Sequence, residues 1–157
     1  MIVGDTGHQE LTDAGGWRSL RALLAVVLDQ MPPPLVGVTS LAAGADQLFA
    51  EQILGRGGEL HVVVPFPGYA DRFSGVDRTR YHRLLKAAVE VLVLPRSGSD
   101  EDCYMAAGQY IVDHCELLVA IWDGRPARGL GGTADVVAYA RRRAVPVRRL
   151  DASPWRT

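Results

Sequence analysis

Cysteine is scarce in this chain: two residues among 157, Cys103 and Cys115, twelve apart and without a C-x-x-C partner. Neither a disulfide framework nor a zinc knuckle follows from that spacing. No apolar run approaches the roughly eighteen residues that a bilayer span requires. The opening "MIVGDTGH" lacks the basic and apolar regions of an export signal. A soluble, cytoplasmic protein with no membrane partner is therefore expected. Charge of one sign is also missing. The net charge of -1 supplies no overall pull on nucleic acid or anionic lipid, although a local basic patch remains compatible with it. On that ground nucleic acid is disfavoured as a partner. There is no internal repeat and no low-complexity block.

What is present is an ordinary globular composition, 48% hydrophobic and 22% charged, in a length that suits one domain. Residues 1–150 are assigned to that domain and 151–157 to a loosely attached tail. Short runs rich in Val, Leu and Ile recur at 2–4, 35–38, 60–64, 91–94, 117–122 and 145–150. Most are continuous rather than alternating, as in strands covered on both faces of a parallel sheet. Helical patterns lie between them at 17–28, 45–54, 79–89, 102–114 and 133–143. The alternation predicts an α/β fold with an open, doubly wound, mostly parallel sheet in a single Rossmann-like domain. "MPPP", "GRGG" and "RSGSD" punctuate the elements, and 65–80 forms a long connection of the kind that often carries function.

In such sheets the ligand crevice lies beyond the carboxyl ends of the strands. Four glycine-containing polar segments fall there: "GDTGH" (4–8), "TSLAAGAD" (39–46), "PFPGYADR" (65–72) and "DGRPARGLGGT" (123–133). A glycine ahead of a helix lets an anion approach backbone N–H groups that have no intrahelical partner, and the helix dipole favours the negative charge. Gly129, Gly131, Gly132 and Thr133 are the candidate phosphate cradle, with Arg125 or Arg128 closing over it. Asp5 and His8 are candidates for ribose or base, although both residue types are also common in turns. Tyr69 is a candidate for stacking and Arg72 for phosphate. The arginines at 78–83 and 140–149 read as solvated helix faces, and Trp122 as the crevice floor. His114 with the cysteines is set aside as a metal site, so no metal and no resident cofactor are expected.

"VGDTGH", "TSLAAGAD" and "VDHCELLVAIWDG" followed by "GGTADVVAYARRRAVPV" together resemble the SLOG superfamily of Rossmann-like nucleotide-binding proteins, over roughly residues 1–148. That superfamily includes LOG-type phosphoribohydrolases, the DprA core and small YpsA-like nucleotide sensors. The resemblance implies a nucleotide or nucleotide-sugar phosphate at the strand ends. It assigns Gly4, Thr6 and Gly7 to the first loop, Gly44 and Asp46 to the start of the second helix, and Gly131, Gly132 and Thr133 to phosphate. It also implies a homodimer, as in LOG-type proteins. The glutamate of the hydrolases' P-G-G-x-G-T-x-x-E motif is missing, since Val136 stands three after Thr133. A carboxylate near the sugar would have to come from Asp5, Asp46, Asp123 or Asp135.

The leading expectation is a nucleotide-binding sensor or scavenging protein. The alternative is a nucleoside 5'-monophosphate N-glycosidase with Asp135 or Asp5 as the catalytic group. The third reading, a single-strand DNA binder, is ranked last.

Overall fold

The computed structural model describes residues 1–9, 14–124, 126 and 131–151. Six strands and five helices alternate along the chain: β1 (Ile2–Gly7), α1 (Ala14–Asp29), β2 (Val36–Thr39), α2 (Ala45–Gly55), β3 (Glu59–Val64), α3 (Gly75–Ala87), β4 (Glu90–Val93), α4 (Asp100–Asp113), β5 (Leu117–Trp122), α5 (Thr133–Arg142) and β6 (Val147–Asp151). A 3-10 turn, Tyr69–Arg72, sits between β3 and α3. The strands form one sheet in the order β4-β3-β2-β1-β5-β6, and every neighbouring pair is parallel.

Local sequence accounts for the elements. In α1, Leu20, Leu24, Val27 and Leu28 recur at helical spacing and are all buried. The helix gives way before Pro32–Pro34, which cannot continue it. α4 begins with a capping box, in which Ser99 Oγ accepts the Asp102 N–H at 3.2 Å and Asp102 Oδ2 accepts the Ser99 N–H at 3.0 Å. That box starts the helix two residues ahead of the sequence expectation. α1, α2 and α3 pack over one apolar cluster, and α4 with α5 over a second that includes Val38, Val63, Leu118 and Val136.

Two expectations are corrected. The first strand does not stop at Gly4 but runs to Gly7, because Asp5, Thr6 and Gly7 continue the pairing with β5 opposite Val119, Ala120 and Ile121. Gly4, Asp5 and Thr6 are thus strand residues rather than a loop after the strand. In addition, β4 is apolar yet not covered on both faces: Val91 and Val93 are 44% and 49% exposed. β4 is the sheet edge, α3 packs against α2, and α4 crosses back over β3 and β1. A continuous apolar run therefore does not by itself identify a central strand.

Candidate functional site

The chain adds β2, β3 and β4 on one side of β1, then returns to place β5 and β6 on the other. That reversal opens a crevice at the carboxyl ends of β1 and β5, the usual ligand position in an open parallel sheet. His8 and Asp123 stand there. The His8 N–H donates to the Ile121 carbonyl at 3.1 Å, holding the end of β1 against β5. The Asp123 N–H donates to His8 Nε2 at 3.2 Å, and that nitrogen lies 3.3 Å from Asp123 Oδ1. Both side chains are partly exposed, so each can present a polar edge to a ligand. Their sequence assignment to the strand ends is matched by their position.

Across the crevice α5 begins. Gly132 precedes it in extended backbone, and among the described residues no side-chain cap is made there. The first-turn amides and the dipole make this a general anion-binding end. Gly131 serves a different need: its φ is +83°, and a Cβ would stand 2.8 Å from the Met105 nitrogen and 2.9 Å from the Glu101 carbonyl oxygen. Glycine is what lets this loop lie on the first turns of α4. The Gly131 N–H donates to Asp135 Oδ2 at 3.2 Å, so one oxygen of this carboxylate ties the residue before the cap to the first turn of the helix. Thr133 is buried at the helix start. Arg125, Arg128 and Gly129 lie outside the described residues.

The start of α2 has another character. Gly44 has φ +81°, and a Cβ there would fall 2.8 Å from the His8 carbonyl oxygen. The Ala45 N–H already donates to that carbonyl at 3.1 Å. A Cβ on Gly7 would meet Ala45 Cβ at 2.5 Å. Both glycines therefore seat α2 against the end of β1. Asp46 is buried, and its Oδ2 accepts the Ala42 N–H at 3.1 Å. Asp5 lies one layer below, 2% exposed, on the α2 side of β1. Burial first, then the Asp46 carboxyl beside it, push Asp5 well above the usual carboxylate range, and burial raises Asp46 to about 6. Asp5 and Asp46, expected at the ligand, are thus both buried side chains beside one another. Gly4 is enclosed too, since a Cβ would meet Ile111 Cγ2 at 2.6 Å and Cys115 Sγ at 3.0 Å. Thr6 is half-buried, and strand alternation places it on the same α4 and α5 side.

Tyr69 is not available for stacking. It is 5% exposed, with ring centroids 5.0 Å from Phe73, 5.6 Å from Tyr81 and 5.7 Å from Phe66. The long connection is thus closed by an aromatic cluster. Arg72 is exposed but pairs with Asp100, Nε to Oδ2 at 2.8 Å, and Arg96 joins the same carboxylate at 2.7 Å. The two guanidinium groups hold Asp100 down at about 2. Arg96 follows β4 directly, so the strand-end rule that selected Arg72 also reaches it, although the sequence reading used "RSGSD" only as a breaker. Trp122 ends β5 under the guanidinium of Arg149, 5.3 Å from the ring centroid. Burial pushes the Cys115 thiol up to about 11, the state of a packed rather than reactive cysteine. Among the described residues no group of three His, Cys, Asp or Glu side chains could hold a metal ion, and no helix is long and apolar enough to cross a membrane.

Fold and site define a class: a single-domain, all-parallel Rossmann-like α/β protein with its crevice at the β1–β5 switch point. A scan against protein-family models found no match, and no curated protein matched in sequence. Solved structures do match. DNA processing protein A from Helicobacter pylori, in a structure that addresses its single-stranded DNA binding mode, superposes with a TM-score of 0.66 over 99% of this chain and 66% of its own, at 13% identity. DNA processing protein A (DprA) from Streptococcus pneumoniae gives 0.66 over 94% and 49%, at 18% identity. The protein TM1055 gives 0.56 over 93% and 71%, at 14% identity. The chain spans just under two thirds of the first of these proteins and about half of the second. At such identities the likeness is one of fold, and a Rossmann-like architecture is what it supports.

These matches overturn the expectation that disfavoured nucleic acid. Two of the neighbours are DNA processing proteins, one of them described by how it binds single-stranded DNA. The inference from charge failed because net charge is a sum over the chain, whereas binding depends on where the charges lie.

Proposed function

We propose that the crevice between the ends of β1 and β5 binds a phosphate-bearing ligand, a nucleotide or nucleotide derivative. Its phosphate would sit at the N-terminus of α5, and its sugar or base against His8 and Asp123. What supports this reading is the start of α5 at Gly132, which has no side-chain cap among the described residues, together with the His8–Asp123 pair at the ends of β1 and β5. The amides and dipole supply the anion's partners without a dedicated cation. His8 and Asp123 supply a donor and acceptor edge of the kind a ribose needs. The ligand-binding residues are Gly132, Thr133, His8 and Asp123, with Gly7, Gly44 and Gly131 shaping the backbone around them.

A binding role is favoured over N-glycosidic hydrolysis by the missing glutamate, whose position Val136 occupies. Of the four candidate carboxylates Asp5 and Asp46 are enclosed and Asp135 accepts the Gly131 amide, which leaves Asp123, paired with His8, as the carboxylate at the crevice. Single-stranded nucleic acid is a second reading, supported by the likeness to the Helicobacter DNA processing protein; one phosphate of a strand would take the place of the nucleotide's. Thermal-shift titration with nucleoside mono- and diphosphates and with a short oligonucleotide, alongside chromatography for free base, tests these readings. Ligand-dependent stabilisation without base release is expected. Base release from a monophosphate would instead make the protein a hydrolase.

A further inference from the structure

We propose that Asp5 and Asp46 form a carboxyl pair holding one proton beneath the crevice, that this proton keeps the start of α2 closed on the end of β1, and that its loss weakens anion binding above. The last step rests on the crevice being an anion site; the pair itself does not.

The geometry is specific. Both Asp5 oxygens are fully enclosed, and among the described residues neither accepts a backbone N–H. Asp46 is 7% exposed and is hydrogen-bonded to Asp5, while its Oδ2 accepts the Ala42 N–H at 3.1 Å. Two ionised carboxylates at hydrogen-bond distance in a dry site repel strongly, and one shared proton turns that repulsion into a bond. Thr39 of β2 gives partial relief, a side-chain hydrogen bond that favours the charged form of Asp5. The Tyr69 hydroxyl of the 3-10 turn feels both carboxylates, and the Cys115 thiol, on the opposite face of the sheet beside Gly4, feels Asp5. Among the described residues no arginine, lysine or histidine acts on either carboxyl. With Asp5 protonated, its O–H donates to Asp46, and Asp46 in turn holds Ala42 and the loop into Gly44. That loop is pressed on the carbonyls of His8 and Gln9, at the edge of the crevice. Losing the proton breaks the Asp5–Asp46 bond and adds a negative charge under the anion.

The test uses the full chain. Carboxyl-carbon NMR of Asp5 and Asp46, with the Ala42 amide as reporter, is followed from pH 4.5 to 8.5. Sulfate, which stays fully ionised over that range, is titrated by calorimetry at both ends. The pair should carry one proton at pH 7, on Asp5. In Asp5→Asn the amide replaces the O–H donor, so Asp46, still held above the ordinary carboxylate range by its burial, should titrate in a single step, and the second, higher step at the Ala42 amide should vanish. Sulfate affinity should fall roughly tenfold between pH 5.5 and 8.5 beyond any change seen in Asp5→Asn, the scale expected for one added negative charge near the site. Because Asp5→Asn keeps His8, the difference isolates the pair. If Asp5→Asn does not fold, Asp46→Asn serves in the calorimetric arm, and the wild-type carboxyl titration stands alone. Two ionised carboxylates at pH 7, or an unchanged Ala42 titration in Asp5→Asn, overturn the pair. Absence of sulfate binding at every pH sinks the crevice reading and the link to affinity, while the NMR arm still decides the pair.

Discussion

Two helices begin alike and end up with different jobs. α2 follows Gly44 and carries Asp46 in its first turn; α5 follows Gly132 and carries Asp135. At α2 the end of β1 occupies the helix start: the His8 carbonyl takes the Ala45 amide, and Asp46 is turned inward onto Asp5. At α5 no side-chain cap is made among the described residues, and Asp135 accepts the Gly131 amide. The comparison teaches that glycine before a helix marks a close approach, and that the group opposite decides whether the approach is to protein or to ligand.

The largest effect that would break the comparison is at α2. Gly44→Val combines a left-handed φ with a collision against the His8 carbonyl, and should cost at least about 3 kcal/mol in denaturant unfolding. A loss under about 1 kcal/mol would mean that the α2 start is not sealed.

The second prediction concerns pH. Asp5 and Asp46 both titrate higher in the folded state than in the unfolded chain, so the native state binds protons that the unfolded state releases. Stability must therefore be fully present below about pH 4, the ordinary carboxylate range, and fall as pH rises through the folded values. The slope is up to about 1.4 kcal/mol per pH unit for each proton, steepest below the Asp46 value of about 6 and continuing above it through Asp5. Thermal midpoints at a series of pH values check this, and Asp5→Asn should flatten the fall. A midpoint that rises steadily from pH 5 to 8 would contradict it.

Asp135→Asn keeps an acceptor for the Gly131 amide and should change stability by less than about 1 kcal/mol and ligand affinity by less than about threefold. A loss of affinity above about tenfold would place Asp135 at the ligand. The smallest effect is Arg72→Ala, which breaks an exposed ion pair with Asp100 and should leave the thermal midpoint almost unchanged.

The alternation of strands and helices was legible because each element carries its own periodicity: the buried stripe of α1 and the apolar run of β5 need no distant information. The crevice was legible too, since His8, Asp123 and Gly132 all follow from the strand-end rule. Burial depth was not. Asp5 reads as a loop residue until the pairing with Val119 shows β1 continuing through it, and Tyr69 reads as a free aromatic until Phe73 and Tyr81 close around it. β4 shows the same limit in reverse, with an apolar run left exposed at the sheet edge. Each case depends on a neighbour far away in sequence or on strand order, which local patterns do not encode. The partner inference failed for a related reason, because a net charge contains no positions.

The central claim is that the open start of α5 is an anion site, and Gly132→Asp tests it most directly. The backbone there, φ -69° and ψ 170°, accepts any residue, and a carboxylate at a helix start caps it and complements the dipole. Calorimetric titration of a nucleoside diphosphate into wild type and Gly132→Asp should show binding in the first and a loss of at least about tenfold in the second, with stability unchanged or raised by up to about 1 kcal/mol. Equal affinity in both proteins would contradict the account.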